Sequence, residues 1–118
     1  MPYISRLRIG IRVAALAGHR IYVSSESEDI TYSGLVTADG TLTDLKPFAD
    51  RGGESVAVDK NGNVYVANGQ IFIYNPTGKQ IGQINVPERP IDIVFGGPGH
   101  STLFILAHHA LYALKQTP

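Results

Sequence analysis

Short stretches in the middle of the chain alternate between apolar and polar positions and are rich in β-branched and aromatic residues. Val64–Val66 and Ile71–Tyr74 have this character, which suits a pleated, half-buried strand. Turn signals separate these stretches, because Asn61-Gly62, Asn68-Gly69 and Asn75–Gly78 contain residues that accept a positive φ. Gly or Pro recurs every few residues, so no segment is long enough for a helix. The pattern predicts four short β-strands in succession.

The same kind of strand recurs three times along the chain. Arg20–Val23, Asn63–Val66 and Thr102–Ile105 align with one another, and their aromatic residues are separated by 43 and then 39 residues. A period of about 40 residues that holds four strands is typical of a β-propeller blade. The sequence therefore predicts an all-β fold, a β-propeller segment of about three blades.

The repeat divides the chain into blades within a single segment, residues 1–118. We expect a leading strand at 3–9, a blade at 11–50, a second blade at 52–88 and an incomplete third blade at 89–115. The third blade has three predicted strands, at 91–95, 103–107 and 110–114, and lacks its outer strand. Two interpretations of the leading strand stay open: it completes the third blade, or it continues from a blade further upstream.

Three blades do not close a ring, since propellers typically have about four to eight. Open ends would expose strand edges and half of a core. Either upstream blades of a longer protein complete the ring, or two copies close it as a homodimer. In the dimer, we expect Ile4–Arg8 of one copy to pair with Ala110–Leu114 of the other.

Composition narrows the classes of function. The chain has 10 basic and 10 acidic residues and no net charge, which argues against binding to nucleic acid or to a membrane surface. It has no Cys, so thiolate metal sites and Cys nucleophiles are excluded. Residues 93–114 carry no Asp, Glu, Lys or Arg, but the polar loop at Gly96–Ser101 splits this run into two predicted strands. We recognise no signal peptide or transmembrane segment and expect a soluble protein.

A set of motifs between residues 52 and 114 resembles a known family. It comprises Gly53–Asp59, Gly62–Ala67, Tyr74–Lys79, Val86–Pro90 and Phe95–Pro98. This ordered set resembles the C-terminal blades of the gluconolactonase family, also called the senescence marker protein or regucalcin family. The resemblance implies that the chain is half of a six-bladed propeller.

The same resemblance implies a divalent metal, often calcium in this family, in the central channel and hydrolysis of a small-molecule substrate, a sugar-acid lactone or related ester. The metal would polarise the carbonyl while a carboxylate assists the attack of water. Glu54 aligns with a family metal ligand that is usually Asp. Its carboxylate oxygens suit a hard cation, although the side chain is one methylene longer. The other ligands belong to earlier blades.

Four residues are candidates for the site, and three of them have a structural alternative. Glu54 is the candidate metal ligand, or else it accepts hydrogen bonds from backbone amides. Asn68, Arg89 and His108 are weaker candidates for facing the substrate. Arg89 has the alternative of capping a loop carbonyl, and His108 that of pointing to solvent. We place all four on one face of the propeller, together with the acidic loop 26–29.

No catalytic residue can be named from the sequence, because no Gly-x-Ser-x-Gly elbow is present. Asp59–Asn63 resembles a calcium loop faintly but lacks the distal Glu, so we interpret it as a hairpin turn on the opposite face. Two alternatives to a lactone hydrolase stay open. One is a non-catalytic propeller module for assembly or ligand binding, and the other is an inactive fragment.

Overall fold

A computed structural model of the chain describes residues 11–15 and 20–116. Within these residues, eleven β-strands form three antiparallel sheets. The first sheet contains β1 (Ile11–Ala15), β2 (Arg20–Ser25), β3 (Ile30–Val36) and β4 (Leu42–Ala49). The second contains β5 (Ser55–Val58), β6 (Val64–Asn68), β7 (Gln70–Tyr74) and β8 (Gln80–Ile84). The third contains β9 (Pro90–Gly96), β10 (Thr102–Ala107) and β11 (Leu111–Lys115).

Each sheet is a meander in which consecutive strands are neighbours. The predicted turns lie at the joints, and the tightest is at Gly69, where Asn68 pairs directly with Gln70 and the glycine has a φ of 73°. A positive φ of this size is costly for residues other than glycine. The sheets are three propeller blades, and the fold is all-β as the sequence predicts.

The third blade has three strands in the described part of the chain, each within one residue of its predicted bounds. A short 3-10 turn at Pro98–His100 separates β9 from β10, and the uncharged run at 93–114 contains parts of three strands, β9, β10 and β11, rather than two. No helix among the described residues is long and apolar enough to cross a membrane. The predicted leading strand at 3–9, and its pairing across a dimer, fall outside the described residues.

The second blade lies between the other two and is buried on both faces. On one face Val56, Val64, Val66 and Tyr74 pack against Tyr22 and Ala49 of the first blade. On the other face a second cluster joins this blade to the third: Ala57, Tyr65, Ala67, Ile71, Val86, Ile93, Leu103 and Ile105. Burial of two apolar faces explains why the first four residues of β6, Val64–Ala67, are all apolar.

The innermost strands of the three blades, β1, β5 and β9, are neighbours although each belongs to a different sheet. This arrangement brings together the loops that precede β5 and β9. It therefore creates one shared edge where side chains of different blades meet.

Candidate functional site

The loop that leads from the first blade into the second fixes the position of Glu54. Gly53 donates its backbone N–H to Ser24 Oγ at 2.8 Å, and Glu54 donates its own to the carbonyl oxygen of Ala67 at 2.9 Å. A Cβ on Gly53 would lie 1.9 Å from that carbonyl oxygen, so only glycine fits. The backbone is therefore held on both sides just before β5 begins.

The carboxylate of Glu54 forms an ion pair with the guanidinium of Arg89. Glu54 is largely buried, with 21% of its side chain exposed, whereas Arg89 is 62% exposed. Arg89 Nη2 also lies 4.0 Å from Glu26 Oε1, so one cation stands between two carboxylates. The structure thus brings together the candidate ligand, a predicted substrate-facing residue and part of the acidic loop.

Asn68, the second predicted substrate-facing residue, binds neighbouring structure. Its Nδ2 donates to the carbonyl oxygen of Gly52 at 2.7 Å and to Asp29 Oδ1 at 3.2 Å. Asp29 Oδ1 also accepts the Gly52 backbone N–H at 3.1 Å. These contacts join the acidic loop of the first blade to the second blade. Asn68 therefore lies on the predicted face and helps to hold it together.

His108, the third of these residues, is exposed, and its ring packs edge-on against that of His109 with 4.3 Å between centroids. His109 Nδ1 lies 3.1 Å from Glu88 Oε1, and Tyr112 donates its hydroxyl to Glu88 Oε2 at 3.0 Å. Burial by itself raises the pKa of Glu88, but the hydrogen bonds from Tyr112 and His109 outweigh it and lower that pKa below its usual value. This carboxylate is therefore kept ionised beside the histidine pair.

Asp59 holds the hairpin turn between β5 and β6 through hydrogen bonds. It is buried and accepts hydrogen bonds from the backbone N–H groups of Asn61 and Asn63, both at 2.9 Å, and from Asn63 Nδ2 at 3.1 Å. Tyr65 donates its hydroxyl to the same carboxylate at 3.4 Å. These donors match the interpretation of Asp59–Asn63 as a turn.

The described residues lack the donor set that a divalent cation needs. No three His, Cys, Asp or Glu side chains form a group able to hold a metal ion within residues 11–15 and 20–116. Glu54 is the one predicted ligand, and its charge is neutralised by Arg89. The described residues therefore do not form a calcium site by themselves.

The pairing of Glu54 with Arg89 was not predicted, although the sequence carries a signal for it. Each residue immediately precedes the innermost strand of its own blade, β5 for Glu54 and β9 for Arg89. Because inner strands of neighbouring blades lie side by side, residues at this repeat position face each other across the junction. Aligning the second and third blades on their inner strands therefore places Glu54 and Arg89 at equivalent positions and identifies them as a pair.

Solved structures with the same fold come from lactonases and related proteins. A gluconolactonase from Xanthomonas campestris matches with a TM-score of 0.72 and 23% identity over 81% of this chain and 33% of its own. A calcium-binding regucalcin from Agrobacterium tumefaciens matches with a TM-score of 0.69 and 20% identity over 85% of this chain and 38% of its own. The chain thus spans little more than a third of the length of these structures.

No curated protein matches the sequence at a significant level. A family model does match, over residues 16–109, and its description is SMP-30/gluconolactonase/LRE-like region. The match covers most of the chain and includes the Glu54–Arg89 pair and the histidine pair. The chain belongs to the SMP-30/gluconolactonase/LRE-like family.

Proposed function

We propose that this chain supplies three blades of a metal-dependent hydrolase that opens a sugar-acid lactone or a related ester. Family membership supports the class of reaction. The observation that carries the proposal is the position of Glu54, a largely buried carboxylate at the mouth of an inner strand, beside the cation of Arg89. Small substrates of propellers bind where such loops converge on a central channel.

Each partner of the pair suits one part of a lactone site. The guanidinium of Arg89 has donors for the hydroxyl and carbonyl oxygens of a sugar-acid lactone, and for the carboxylate that hydrolysis produces. The carboxylate of Glu54 offers an oxygen ligand to calcium, which acts as a Lewis acid toward a carbonyl when bound. The remaining ligands must then come from outside the described residues, since these provide no group of three.

One observation favours the second candidate, a propeller module that binds or assembles without catalysis. Arg89 already satisfies the charge of Glu54, and a cation that binds Glu54 must displace it. An arginine fixed in this position would keep a metal out. The two candidates therefore differ in whether calcium binds through Glu54.

The test is a calorimetric calcium titration of the purified full-length chain, followed by hydrolysis of a gluconolactone monitored through the proton released. Glu54→Gln should abolish calcium binding and activity and leave the fold intact. Asp44→Asn is the matched control: it removes a carboxylate from the exposed strand β4, at a residue whose φ of 56° asparagine tolerates. Calcium binding and activity that survive Glu54→Gln unchanged would contradict the role of Glu54. Absence of both in the wild-type chain would favour the non-catalytic module.

A further inference from the structure

The blades of this chain share one orientation, in which the repeated aromatic residue points toward the next blade. Tyr22 of the first blade is buried against the second blade, with 1% of its surface exposed. Tyr65 of the second blade packs edge-on against Phe95 of the third, with 5.0 Å between ring centroids. Phe104 is the third member of the series. Because Tyr22 and Tyr65 each face the next blade, Phe104 faces the position that a following blade would occupy.

Phe104 lies on an apolar face of the third blade that nothing in the described part of the chain covers. Its ring sits above Gly96, where a Cβ would be 3.2 Å from Phe104 Cε2. We call this surface the back face, and its members are Val94, Phe104, Leu106 and Leu111. Val94 is 59% exposed, Leu106 47% and Leu111 66%. In register, Phe104 pairs with Val94 and Leu106 with Leu111, so the surface is continuous.

The first blade carries the complementary surface. The two residues on either side of the repeated aromatic residue point toward the preceding blade. Val64 and Val66 pack toward the first blade, and Leu103 and Ile105 pack toward the second. The corresponding pair in the first blade is Ile21 and Val23. These two lie on the face opposite Tyr22 and complete the series.

We call this second surface the front face, and its members are Ile21, Val23, Tyr32, Leu42 and Leu45. Val23 pairs in register with Tyr32, and Ile21 with Gly34. The Cδ1 atoms of Leu42 and Leu45 lie 2.8 Å and 3.3 Å from the position of a Cβ on Gly34, which places both leucines over this face. Leu42 is 44% exposed and Leu45 51%. Large exposed apolar patches of this kind mark interaction sites.

We infer that the back face of one copy packs on the front face of a second copy, and that two such contacts close a ring of six blades about a two-fold axis. The contact repeats the two junctions already present inside the chain, where an aromatic residue meets the flanking pair of the next blade. A ring built from copies of three blades has a multiple of three, and six is the multiple that lies within the usual range of about four to eight. A head-to-tail contact that closes in this way leaves no free end.

The inference deepens the proposed function, since the channel is then lined by two Glu54–Arg89 pairs related by the two-fold axis. It does not depend on catalysis, because its test measures mass without lactone or metal. If the mass agrees and activity is absent, the ring stands and the hydrolase proposal fails.

The test is sedimentation velocity of the purified full-length chain over a range of concentrations. The expected mass is twice 12.7 kDa. Leu106→Glu in the back face and Leu45→Glu in the front face should each weaken dimerisation by at least about 100-fold, because each places a charge in both contacts. Ile81→Glu is the matched control, since Ile81 is 53% exposed on β8 of the second blade, away from both faces.

Mixing the Leu45→Glu and Leu106→Glu variants distinguishes the contact between back face and front face from other modes of dimerisation. One intact contact forms between the back face of Leu45→Glu and the front face of Leu106→Glu, so a heterodimer should appear in the mixture. A monomer at all concentrations of the wild-type chain would overturn the inference and leave both faces to blades of a different polypeptide. A mass that increases without limit, or a dimer that only back-face substitutions disrupt, would overturn it equally.

Discussion

The guanidinium of Arg89 contacts the carboxylate of Glu54, and the two residues hold the same position in neighbouring blades, directly before the innermost strand. This pair decides between the two candidate functions. While it is closed, the one predicted metal ligand has a cationic side chain as its partner. Opening it leaves an anionic oxygen without this cationic partner.

Replacing Arg89 with Gln should therefore increase the affinity for calcium by about tenfold, because it removes a positive charge adjacent to the ligand. The free energy of unfolding should change by about 1 kcal/mol or less, since the guanidinium is largely exposed. Calorimetric calcium titration and urea unfolding measure the two effects. Lys46→Gln is the control, as Lys46 pairs with Asp44 at 3.7 Å on the exposed strand β4. If the affinity is unchanged or weaker in Arg89→Gln, Glu54 does not bind the metal.

Asn68→Ala should destabilise the fold by about 1–2 kcal/mol, because the carbonyl of Gly52 loses the Asn68 donor and Asp29 keeps only the Gly52 N–H of its two donors. Urea unfolding at one fixed protein concentration measures this change. Asn85→Ala should have an effect of less than about 0.5 kcal/mol, since Asn85 is exposed and bonds only to Gln83 in the described region. Normal stability combined with weaker substrate binding would support the substrate-facing prediction for Asn68 instead.

Two glycines should respond very differently to alanine. Gly53→Ala places a methyl group 1.9 Å from the carbonyl oxygen of Ala67, and the backbone must move, which should cost at least about 3 kcal/mol. At Gly69 nothing lies within 4 Å of the added Cβ, so Gly69→Ala should cost only the strain of its positive φ, about 1–2 kcal/mol. Chemical unfolding of both variants tests the difference. Equal losses would show that the junction at Gly53 is looser than described.

The environment of Glu88 predicts a loss of stability in acid. Its pKa in the folded chain lies below the usual value of 4.5, so the stabilisation is present above that pH and disappears as the pH falls through the folded-state pKa. Tyr112→Phe removes one of the hydrogen bonds that lower this pKa, so the pKa of Glu88 should rise. NMR titration of the Glu88 side chain measures the shift. An unchanged titration curve would mean that the Tyr112 hydroxyl does not bind the carboxylate in solution.

The strands and the blades could be predicted from the sequence because alternation and turn residues act locally. Gly69 and the repeated aromatics at 22, 65 and 104 were sufficient to predict three blades. Even the three-stranded third blade follows from the spacing of its apolar runs. These features depend on neighbours a few residues away, which a single sequence displays directly.

The partners of the candidate site residues could not be predicted in the same way, because they depend on which side chains meet across a blade junction. Glu54 and Arg89 are 35 residues apart, and Asn68 and Asp29 are 39 apart. The backbone of Gly53, directly before Glu54, is itself fixed by Ser24 in another blade. The contacts of these side chains required the three-dimensional structure.

The hydrogen bonds of the loop at Gly52–Gly53 affect how fast its backbone amides exchange with solvent. A surface loop normally exchanges its amide hydrogens with solvent quickly, but here the Gly52 N–H is held by Asp29 and the Gly53 N–H by Ser24. Both acceptors belong to the preceding blade, so the two amides exchange only when the two blades separate. Hydrogen exchange at these glycines therefore reports the opening of the whole junction. The connection between the first two blades is thus anchored to the first blade by two side chains as well as by the chain itself.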